Sequence, residues 1–205
     1  KTLHEDPIDL ILSDVMMPGK KGTQLCREIK GDPQFCHIPI ILVTAQTTIQ
    51  NQVNGLNTGA NAYVNKPFDP SYLLALIQSQ LMNLEKIQSL FGKSTQNSRI
   101  EENTLLPQDK NFMEELYQLM EAELSNPELD ITLVTNRMKI SRTKLYYKVK
   151  GLTGENPSVF FKTFKLNRAK ELISEGKHNI SEIADITGFS TLSHFSTSFK
   201  KKFGI

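Results

Sequence analysis

Three short apolar runs within the first 65 residues constrain the fold of this chain more than any other feature. They cover residues 8–12, 38–43 and 62–64, and they are apolar at all or nearly all positions. Runs of this length and composition are typical of strands that are buried on both faces of a parallel sheet. Helical patterns follow the runs, over residues 22–30, 48–57 and 71–91. This alternation predicts an α/β domain with a parallel sheet.

The sequence after residue 107 has no such runs. Its apolar residues recur at helical spacing, which predicts an all-α domain with helices over 112–124, 131–138, 142–149, 157–173, 182–187 and 192–202. Asp130, Ser141 and Asn156 are expected N-caps, and Gly151 and Gly176 are expected just beyond helix ends. Residues 92–98 are polar and lack apolar periodicity, which indicates a boundary. We therefore predict domains over 1–91 and 108–205, joined by a linker over 92–107.

Charge is distributed unevenly along the chain. The net charge is +2 over all 205 residues, whereas residues 131–205 carry 14 basic and 5 acidic side chains. Residues 109–130 carry 1 basic and 7 acidic side chains. A basic domain favours an anionic polymer such as nucleic acid as its partner, although a lysine-rich helix face can also be ordinary solvated surface.

The composition excludes several classes of protein. No apolar run approaches the roughly 18 residues of a bilayer span, and the 2 cysteines and 4 histidines give neither a disulfide framework nor zinc-ligand spacing. The sequence therefore predicts a soluble, cytoplasmic fragment that makes no membrane contact and holds no structural metal.

A polar residue follows each of the three predicted strands: Asp14, Thr44 and Lys66. The carboxyl ends of parallel strands meet at one edge of the sheet, where ligands bind. A carboxylate can accept a phosphoryl group covalently, and a hydroxyl and an ammonium can stabilise the added oxygens. The three residues together predict a phosphoryl-transfer site, although strand ends lie in surface loops and are often polar in any case.

Dehalogenase-type phosphatases also use an aspartate nucleophile after an apolar strand. These enzymes place a second aspartate two residues further on, where it acts as general acid and base. Met16 occupies that position here, so no acid is available there to protonate a leaving group. The sequence therefore disfavours phosphatase activity, and we expect this fragment not to be an enzyme.

Three ordered segments resemble the receiver domain of bacterial response regulators. They are Leu-Ile-Leu-Ser-Asp-Val-Met-Met-Pro-Gly over 10–19, Ile-Leu-Val-Thr-Ala over 41–45 and Gly-Ala-Asn-Ala-Tyr-Val-Asn-Lys-Pro-Phe over 59–68. The resemblance covers roughly residues 1–90 and implies a flavodoxin-like fold. It implies that Asp14 is the phosphoacceptor, Thr44 the switch hydroxyl, Lys66 the cation on the phosphoryl group and Tyr63 the switch aromatic. It also implies a cis peptide bond between Lys66 and Pro67.

The same resemblance implies a Mg²⁺ ion. Its ligands would be Asp14, the backbone carbonyl of Met16 and a pair of acidic residues at the end of the family's first strand. That strand would precede the first residue of this sequence. We therefore expect a receiver that lacks its first strands, that binds Mg²⁺ only when the acidic pair is restored, and that belongs to a longer protein.

A basic segment over residues 139–150 carries five cationic side chains and no acidic one. Met138, Ile140, Leu145 and Val149 can form a buried stripe, which leaves the other side chains available to a partner. With the short helix before it, the segment predicts a helix-turn-helix unit whose second helix enters the major groove of double-stranded DNA. The residues predicted to face DNA are Arg142, Thr143, Lys144, Tyr146, Tyr147 and Lys148.

Residues 180–203 repeat the pattern of helix, turn and helix. Phe195, Phe199 and Phe203 recur every four residues and are expected in the core rather than stacked on bases. Hydroxyl side chains and His194 lie between them, and lysines follow, so this second helix is also expected to hold DNA. Its predicted contact residues are Ser190, Thr191, Ser193, His194, Thr197, Lys200 and Lys201.

Residues 108–205 resemble the arabinose-regulator (AraC) type of DNA-binding domain, in which a long helix joins two helix-turn-helix units. The segments that carry the resemblance are 141–146, 152–157, 166–173, 183–190, 195–201 and 203–204. It implies that the helices over 142–149 and 192–202 enter successive major grooves. Lys139 departs from the family pattern, because it stands where a glycine is usual. The family's final helix would lie beyond Ile205.

Together, the two resemblances predict a phosphorylation-controlled, sequence-specific transcription regulator of a two-component phosphorelay. A histidine kinase, in the same chain or in another, would donate the phosphoryl group. The domain order resembles the C-terminal end of the hybrid two-component regulators of Bacteroidetes, in which a sensor and a kinase lie upstream. Outward apolar residues among Ile87, Leu90 and Phe91 would make a homodimer contact or pack on the receiver's own sheet.

Two alternatives stay open at this point. The chain could be the C-terminal part of a hybrid sensor histidine kinase, whose upstream kinase would make the parent protein an enzyme of the inner membrane. It could instead contain a receiver that works as an interaction module without phosphorylation.

Overall fold

A computed structural model describes residues 8–45, 57–93 and 106–204 of the chain. These residues divide into two compact units, one ending at Gln88 and the other beginning at Ser89. The predicted helix over residues 48–57 lies outside the described residues except for Asn57, and so does most of the predicted linker.

The first unit contains a parallel sheet. In the described residues its strands are β1 (Ile11–Asp14), β2 (Ile40–Thr44) and β3 (Ala62–Asn65), in the order β1-β2-β3. Both pairings are parallel. The central strand β2 is buried at every position, which accounts for its uninterrupted apolar sequence. The predicted α/β fold with a parallel sheet is confirmed.

Two helices accompany this sheet in the described part of the first unit. α1 (Gly22–Gly31) follows β1, and α2 (Pro70–Lys93) follows β3 and continues past Gln88 into the second unit. Leu73, Leu76 and Ile77 of α2 pack against the buried side chains of Ile41, Val43 and Val64. Helix α2 therefore covers one face of the sheet.

The second unit is helical throughout its described residues, as predicted. Its helices are α3 (Pro107–Ala122), α4 (Ile131–Met138), α5 (Arg142–Thr153), α6 (Pro157–Glu175), α7 (Ile180–Ile186) and α8 (Leu192–Phe203). A buried cluster joins α6, α7 and α8 through Leu166, Ala169, Ile183, Phe195 and Phe199. The predicted core role of Phe195 and Phe199 is confirmed, and Phe203 is partly buried against the same cluster.

The helix ends follow the predicted capping residues with two exceptions. Asp130 accepts a hydrogen bond from the Leu133 N–H at 2.8 Å, and Ser141 accepts one from the Lys144 N–H at 3.1 Å. Asn156 occupies the N-cap of α6 without a side-chain capping bond, so that prediction is only half correct. The prediction for Gly151 is wrong, because Leu152 and Thr153 are buried and extend α5 to Gly154. Gly154 ends α5 with φ 75°, and Gly176 ends α6 with φ 68°.

The turn between α4 and α5 contains a lysine in the left-handed backbone conformation. Lys139 has φ 52° and ψ 43°. Among the described residues, no other residue except glycines has a positive φ. A side chain with a β-carbon is disfavoured in this region, and glycine is not. The unusual lysine that the sequence shows at this position therefore sits in a strained turn.

Replacing Lys139 with glycine is expected to raise the free energy of unfolding of the second unit by about 1 kcal/mol, because the left-handed strain is removed. Lys139→Ala is the matched control, since it removes the same charge and keeps the β-carbon. Urea denaturation followed by helical circular dichroism measures both variants. An equal stabilisation by glycine and alanine would show that the charge, and not the backbone strain, determines the effect.

Candidate functional site

The carboxyl ends of the three strands bring the predicted residues Asp14, Thr44 and Lys66 to one edge of the sheet. Asp14 is paired with Val43, the residue before Thr44, and Thr44 is paired with Asn65, the residue before Lys66. The Lys66 N–H donates a hydrogen bond to the Thr44 carbonyl at 2.6 Å. Residues from three distant segments are thus neighbours. Tyr63 lies on β3 opposite Leu42 and is half-buried.

Both carboxylate oxygens of Asp14 have a partner. Asp14 Oδ2 accepts a hydrogen bond from Lys66 Nζ in an ion pair, and Oδ1 accepts one from the Met16 N–H at 2.9 Å. These two bonds, with that to Lys66 as the larger effect, hold the pKa of Asp14 below its ordinary value. The side chain is about one-third exposed. It is therefore an ionised carboxylate that is partly open to solvent. The Lys66-Pro67 peptide bond is cis, as the resemblance implies.

Gly22, the first residue of α1, lies against the backbone of Asp14. Its N–H donates to the Val15 carbonyl at 3.0 Å. A β-carbon on Gly22 would lie 2.9 Å from the Asp14 carbonyl carbon and 3.0 Å from Ser13 Oγ, so a larger residue would displace the Asp14 segment. The sequence does not show this positioning role directly. Its available signal is the glycine at the first position of the predicted helix over 22–30, since glycine has a low helix propensity.

Helix α5 exposes its first turns. Arg142, Thr143 and Tyr146 are exposed, and Lys144 and Tyr147 are partly exposed. The Arg142 guanidinium donates to Thr132 Oγ1 at 3.0 Å, which bonds it to α4, the first helix of the same helix-turn-helix unit. The opposite face of α5 is buried through Leu145, Val149 and Leu152. The exposure of Arg142, Thr143, Lys144, Tyr146 and Tyr147 therefore fits the external face that the sequence predicts.

Lys148 does not belong to that face, so its predicted contact with DNA is wrong. Its side chain is 1% exposed and forms an ion pair with Asp109 of α3, which is 2% exposed. The spacing explains the error, because Lys148 falls between Leu145 and Leu152 on the buried side of α5. A charged side chain this deeply buried requires a partner of opposite charge. Asp109 is that partner, and it was missed in the sequence.

Helix α8 presents a second exposed face. All seven predicted contact residues, which are Ser190, Thr191, Ser193, His194, Thr197, Lys200 and Lys201, are exposed. Thr191 also caps the helix, because its hydroxyl accepts a hydrogen bond from the His194 N–H at 3.2 Å. The His194 ring packs edge-on against Phe189, with ring centroids 5.5 Å apart. The polar residues therefore stand on a helix that is fixed to the core.

Phe91 does not face outward as the dimer prediction requires. It is buried within the second unit, where its ring stacks on that of Tyr117 with centroids 6.4 Å apart. Burial, reinforced by the negative charge of Glu155, raises the pKa of the Tyr117 phenol. Ile87 is half-buried, and the side chain of Leu90 lies outside the described residues. The outward position predicted for Phe91 is therefore wrong.

Comparison with protein families assigns both units. Residues 1–78 match the family model for the response regulator receiver domain, and residues 134–205 match a model for a helix-turn-helix domain. Residues 1–78 therefore belong to the response-regulator receiver family, and residues 134–205 to a helix-turn-helix family of the AraC type. Asp14, Thr44, Tyr63 and Lys66 lie in the receiver domain, and α5 and α8 lie in the helix-turn-helix domain. This pair of domains is typical of a two-component response regulator with a DNA-binding output, and neither domain class is catalytic.

Individual relatives match different shares of the chain. Histidine kinase P4 of Formosa agariphila is 32% identical over 99% of this chain and 15% of its own length. The probable transcriptional regulator ycf29 of Pyropia yezoensis is 30% identical over 65% of this chain and 60% of its own length. A solved receiver domain of a signal transduction histidine kinase from Syntrophus aciditrophicus is 32% identical, covers 51% of this chain and 69% of its own, and has a TM-score of 0.38. The chain thus spans less than two thirds of the length of these curated relatives.

The described residues of the receiver domain do not make a complete Mg²⁺ site. Mg²⁺ requires six oxygen ligands in octahedral geometry, usually with one or two carboxylates. At this edge of the sheet, the described residues offer one carboxylate, that of Asp14, which is paired with Lys66. No cluster of three acidic, histidine or cysteine side chains occurs in the described ranges.

Among the described residues, no helix is both long enough and apolar enough to cross a lipid bilayer.

Proposed function

We propose that this chain is the receiver and output part of a phosphorylation-controlled, sequence-specific transcription regulator. The observation that carries the proposal is the presence, in one chain, of an ionised Asp14 bonded to Lys66 and of two helices, α5 and α8, with exposed polar faces. A histidine kinase would donate the phosphoryl group, and double-stranded DNA would be the partner of the helical domain.

The receiver chemistry follows from the groups around Asp14. A carboxylate oxygen of Asp14 would attack the phosphorus of a phosphohistidine, and the bond from phosphorus to the donor's imidazole nitrogen would break. The carboxylate carries one negative charge, and the acyl phosphate that replaces it carries nearly two. Lys66 would stabilise them, and the Thr44 hydroxyl would move to bond the new oxygens. Tyr63, two residues before Asn65 on β3, would follow that movement and report it on the outer surface of the domain.

The DNA-binding chemistry follows from the two exposed faces. Arg142, Thr143, Lys144, Tyr146 and Tyr147 would contact one major groove from α5. The residues of α8 and its cap would contact the next groove, with Lys200 and Lys201 on phosphates. Helix α6 has 19 residues and is about 28 Å long, which approaches the groove repeat of about 34 Å. It is therefore a suitable spacer between two recognition helices.

A second candidate is a hybrid sensor histidine kinase that contains this chain. The similarity to histidine kinase P4 over nearly the whole chain supports it. In that case the kinase would donate to Asp14 within one polypeptide. The natural coding sequence upstream of residue 1 would decide between the candidates, because a kinase requires a phosphoacceptor histidine and an ATP-binding domain.

Two substitutions separate base contacts from phosphate contacts. Lys200→Ala is expected to weaken binding to all duplexes alike and to reduce the slope of log affinity against log salt by about 1, because one phosphate contact is lost. Arg142→Ala is expected to cost about 1–3 kcal/mol on the preferred duplex and to relax base preference at one position. The preferred duplex is obtained by enriching a random-sequence pool with the wild-type chain, and fluorescence anisotropy over a salt series measures binding.

Lys177→Ala is the matched control for charge. Lys177 is exposed, pairs with Glu175 and lies outside α5 and α8. Its removal is expected to leave both the affinity and the salt slope unchanged. Identical losses on preferred and random duplexes for Arg142→Ala and Lys200→Ala would contradict the assigned roles, and affinity independent of salt would contradict DNA binding by these faces.

A further inference from the structure

Lys165 is a buried lysine at the middle of the spacer helix α6. It is 7% exposed, and its Nζ donates hydrogen bonds to the carbonyls of Asn126 at 2.9 Å and Gly188 at 3.1 Å. Burial lowers the pKa of this ammonium. A lysine that served only to cover apolar surface would extend its charge to solvent. The ammonium of Lys165 instead donates hydrogen bonds to two backbone carbonyls.

The two carbonyls lie in segments that lead into helices of different helix-turn-helix units. Asn126 lies in the loop between α3 and α4, four residues before Asp130, the N-cap of the first unit. Gly188 lies in the turn between α7 and α8, three residues before Thr191, the N-cap of the second recognition helix. One ammonium on the spacer therefore bonds the backbone of both units close to the start of a helix in each.

Gly188 brings the same two segments into direct contact. It has φ 63°, and a β-carbon built on it would lie 2.6 Å from the Leu124 carbonyl oxygen, 2.8 Å from Lys165 Nζ and 2.9 Å from the Asn126 carbonyl oxygen. No side chain fits there. The turn of the second unit is thus pressed against the loop that enters the first unit, with the ammonium between them.

The loop that receives this contact is itself well fixed. The Asn126 N–H donates to the Glu123 carbonyl at 3.0 Å, and Asn126 Nδ2 donates to Glu123 Oε2 at 3.0 Å. The Glu128 N–H donates to Asn126 Oδ1 at 2.9 Å. Beside the junction, a groove of about 210 Å³ lies between Leu129, Phe161, Phe189 and His194. Apolar packing therefore leaves a gap there, and the polar bonds of Lys165 bridge the two units.

We infer that Lys165 is a positioning residue, which sets the distance and orientation between the recognition helices α5 and α8. The inference rests on the proposed function, because it concerns how the two helices engage one DNA site together. Hydrogen bonds from a charged donor are stronger than those between neutral groups. Two of them at one point limit the rotation of the second unit about the spacer. The protein would then select DNA sites by the spacing of their halves as well as by their bases.

The test compares Lys165→Met with Lys162→Met in the 205-residue chain. Methionine keeps the length of the side chain and removes the donor, and Lys162 is an exposed lysine of the same helix, so its variant removes an equal charge. The probes are a duplex enriched from a random pool with the wild-type chain, each of its halves embedded in random sequence, and versions with one base pair inserted or removed between the halves.

Lys165→Met is expected to weaken binding to the enriched duplex about tenfold and to change binding to the separate halves by no more than about twofold. It is also expected to reduce the discrimination against altered spacing. Lys162→Met is expected to weaken all duplexes in parallel and to keep the spacing preference. Loss of spacing discrimination is the readout that a loss of charge alone would not produce.

Three results would overturn the inference. Wild-type spacing discrimination in Lys165→Met would show that the lysine does not position the units. Loss of half-site binding together with loss of the helical circular dichroism signal would make Lys165 a determinant of folding rather than of position. A wild-type chain that binds the enriched duplex no better than one half would contradict the proposed paired recognition itself, which separates that failure from the other two.

Discussion

Replacing Asp109 with alanine is expected to lower the free energy of unfolding of the helical unit by about 3–5 kcal/mol, because the buried Lys148 ammonium would lose its counter-charge. The side chains of Asp109 and Lys148 are 2% and 1% exposed, respectively, and form a buried ion pair. Asp109 stands in the first turn of α3, whereas Lys148 stands on the recognition helix α5. Urea denaturation followed by helical circular dichroism measures the loss.

The double variant Asp109→Leu with Lys148→Met provides the control for this prediction. It replaces both charges with apolar side chains, and exchanges of this kind in other proteins are often neutral or stabilising. We expect its stability to be within about 1.5 kcal/mol of the wild type. A single variant Asp109→Ala as stable as the wild type would contradict the burial of the pair. A double variant less stable than Asp109→Ala would contradict the electrostatic explanation.

Asp14→Asn is expected to abolish covalent phosphorylation of the receiver, because an amide oxygen at this position is not a nucleophile of comparable strength. The measurement is the gain in protein mass when the natural polypeptide that carries residues 1–205 is incubated with a small acyl phosphate. Asp9→Asn is the matched control, since Asp9 is an exposed carboxylate of the same unit. We expect it to retain the full mass gain.

The outcome for Asp14→Asn also tests the alternative of an interaction receiver. A mass gain that persists in Asp14→Asn would place the phosphoryl group on another residue. No mass gain in the wild-type polypeptide would favour a receiver that acts without phosphorylation.

The main features of the fold could be predicted from the sequence because local signals and tertiary packing agree in them. The apolar run at β2 is buried throughout, and parallel pairing brings Asp14, Thr44 and Lys66 to one edge as strand order requires. Asp130 and Ser141 cap their helices through bonds to residues three positions on, which is a short-range property. Lys139 takes the conformation of the glycine it replaces in the family pattern.

Features that depend on contacts between distant segments could not be predicted in the same way. The charge of Lys148 favours the DNA-facing surface, whereas its helical spacing from Leu145 and Leu152 favours the buried side of α5. The sequence does not show which of the two prevails, because that depends on the ion pair with Asp109, 39 residues earlier. Lys165 is a similar case, because its partners are the backbone carbonyls of Asn126 and Gly188. Every residue has a backbone carbonyl, so the residue types do not identify these two as acceptors.

The extent of α5 illustrates the same limit on a smaller scale. Gly151 and Gly154 are both glycines, the residue type that most often ends a helix. The burial of Leu152 and Thr153 selects the later one. Glycine is tolerated inside the helix at position 151 because packing on both sides of it outweighs its lower helix propensity.

The central claim is that the state of Asp14 controls the binding of DNA by α5 and α8. Its most direct test is the dissociation constant of the natural polypeptide for the enriched duplex, measured with and without prior phosphorylation by a small acyl phosphate. The account predicts a change of about tenfold, within the usual range of coupling between two sites, that is absent in Asp14→Asn. Equal dissociation constants for protein that carries a phosphoryl group on Asp14 and for protein that does not would contradict it.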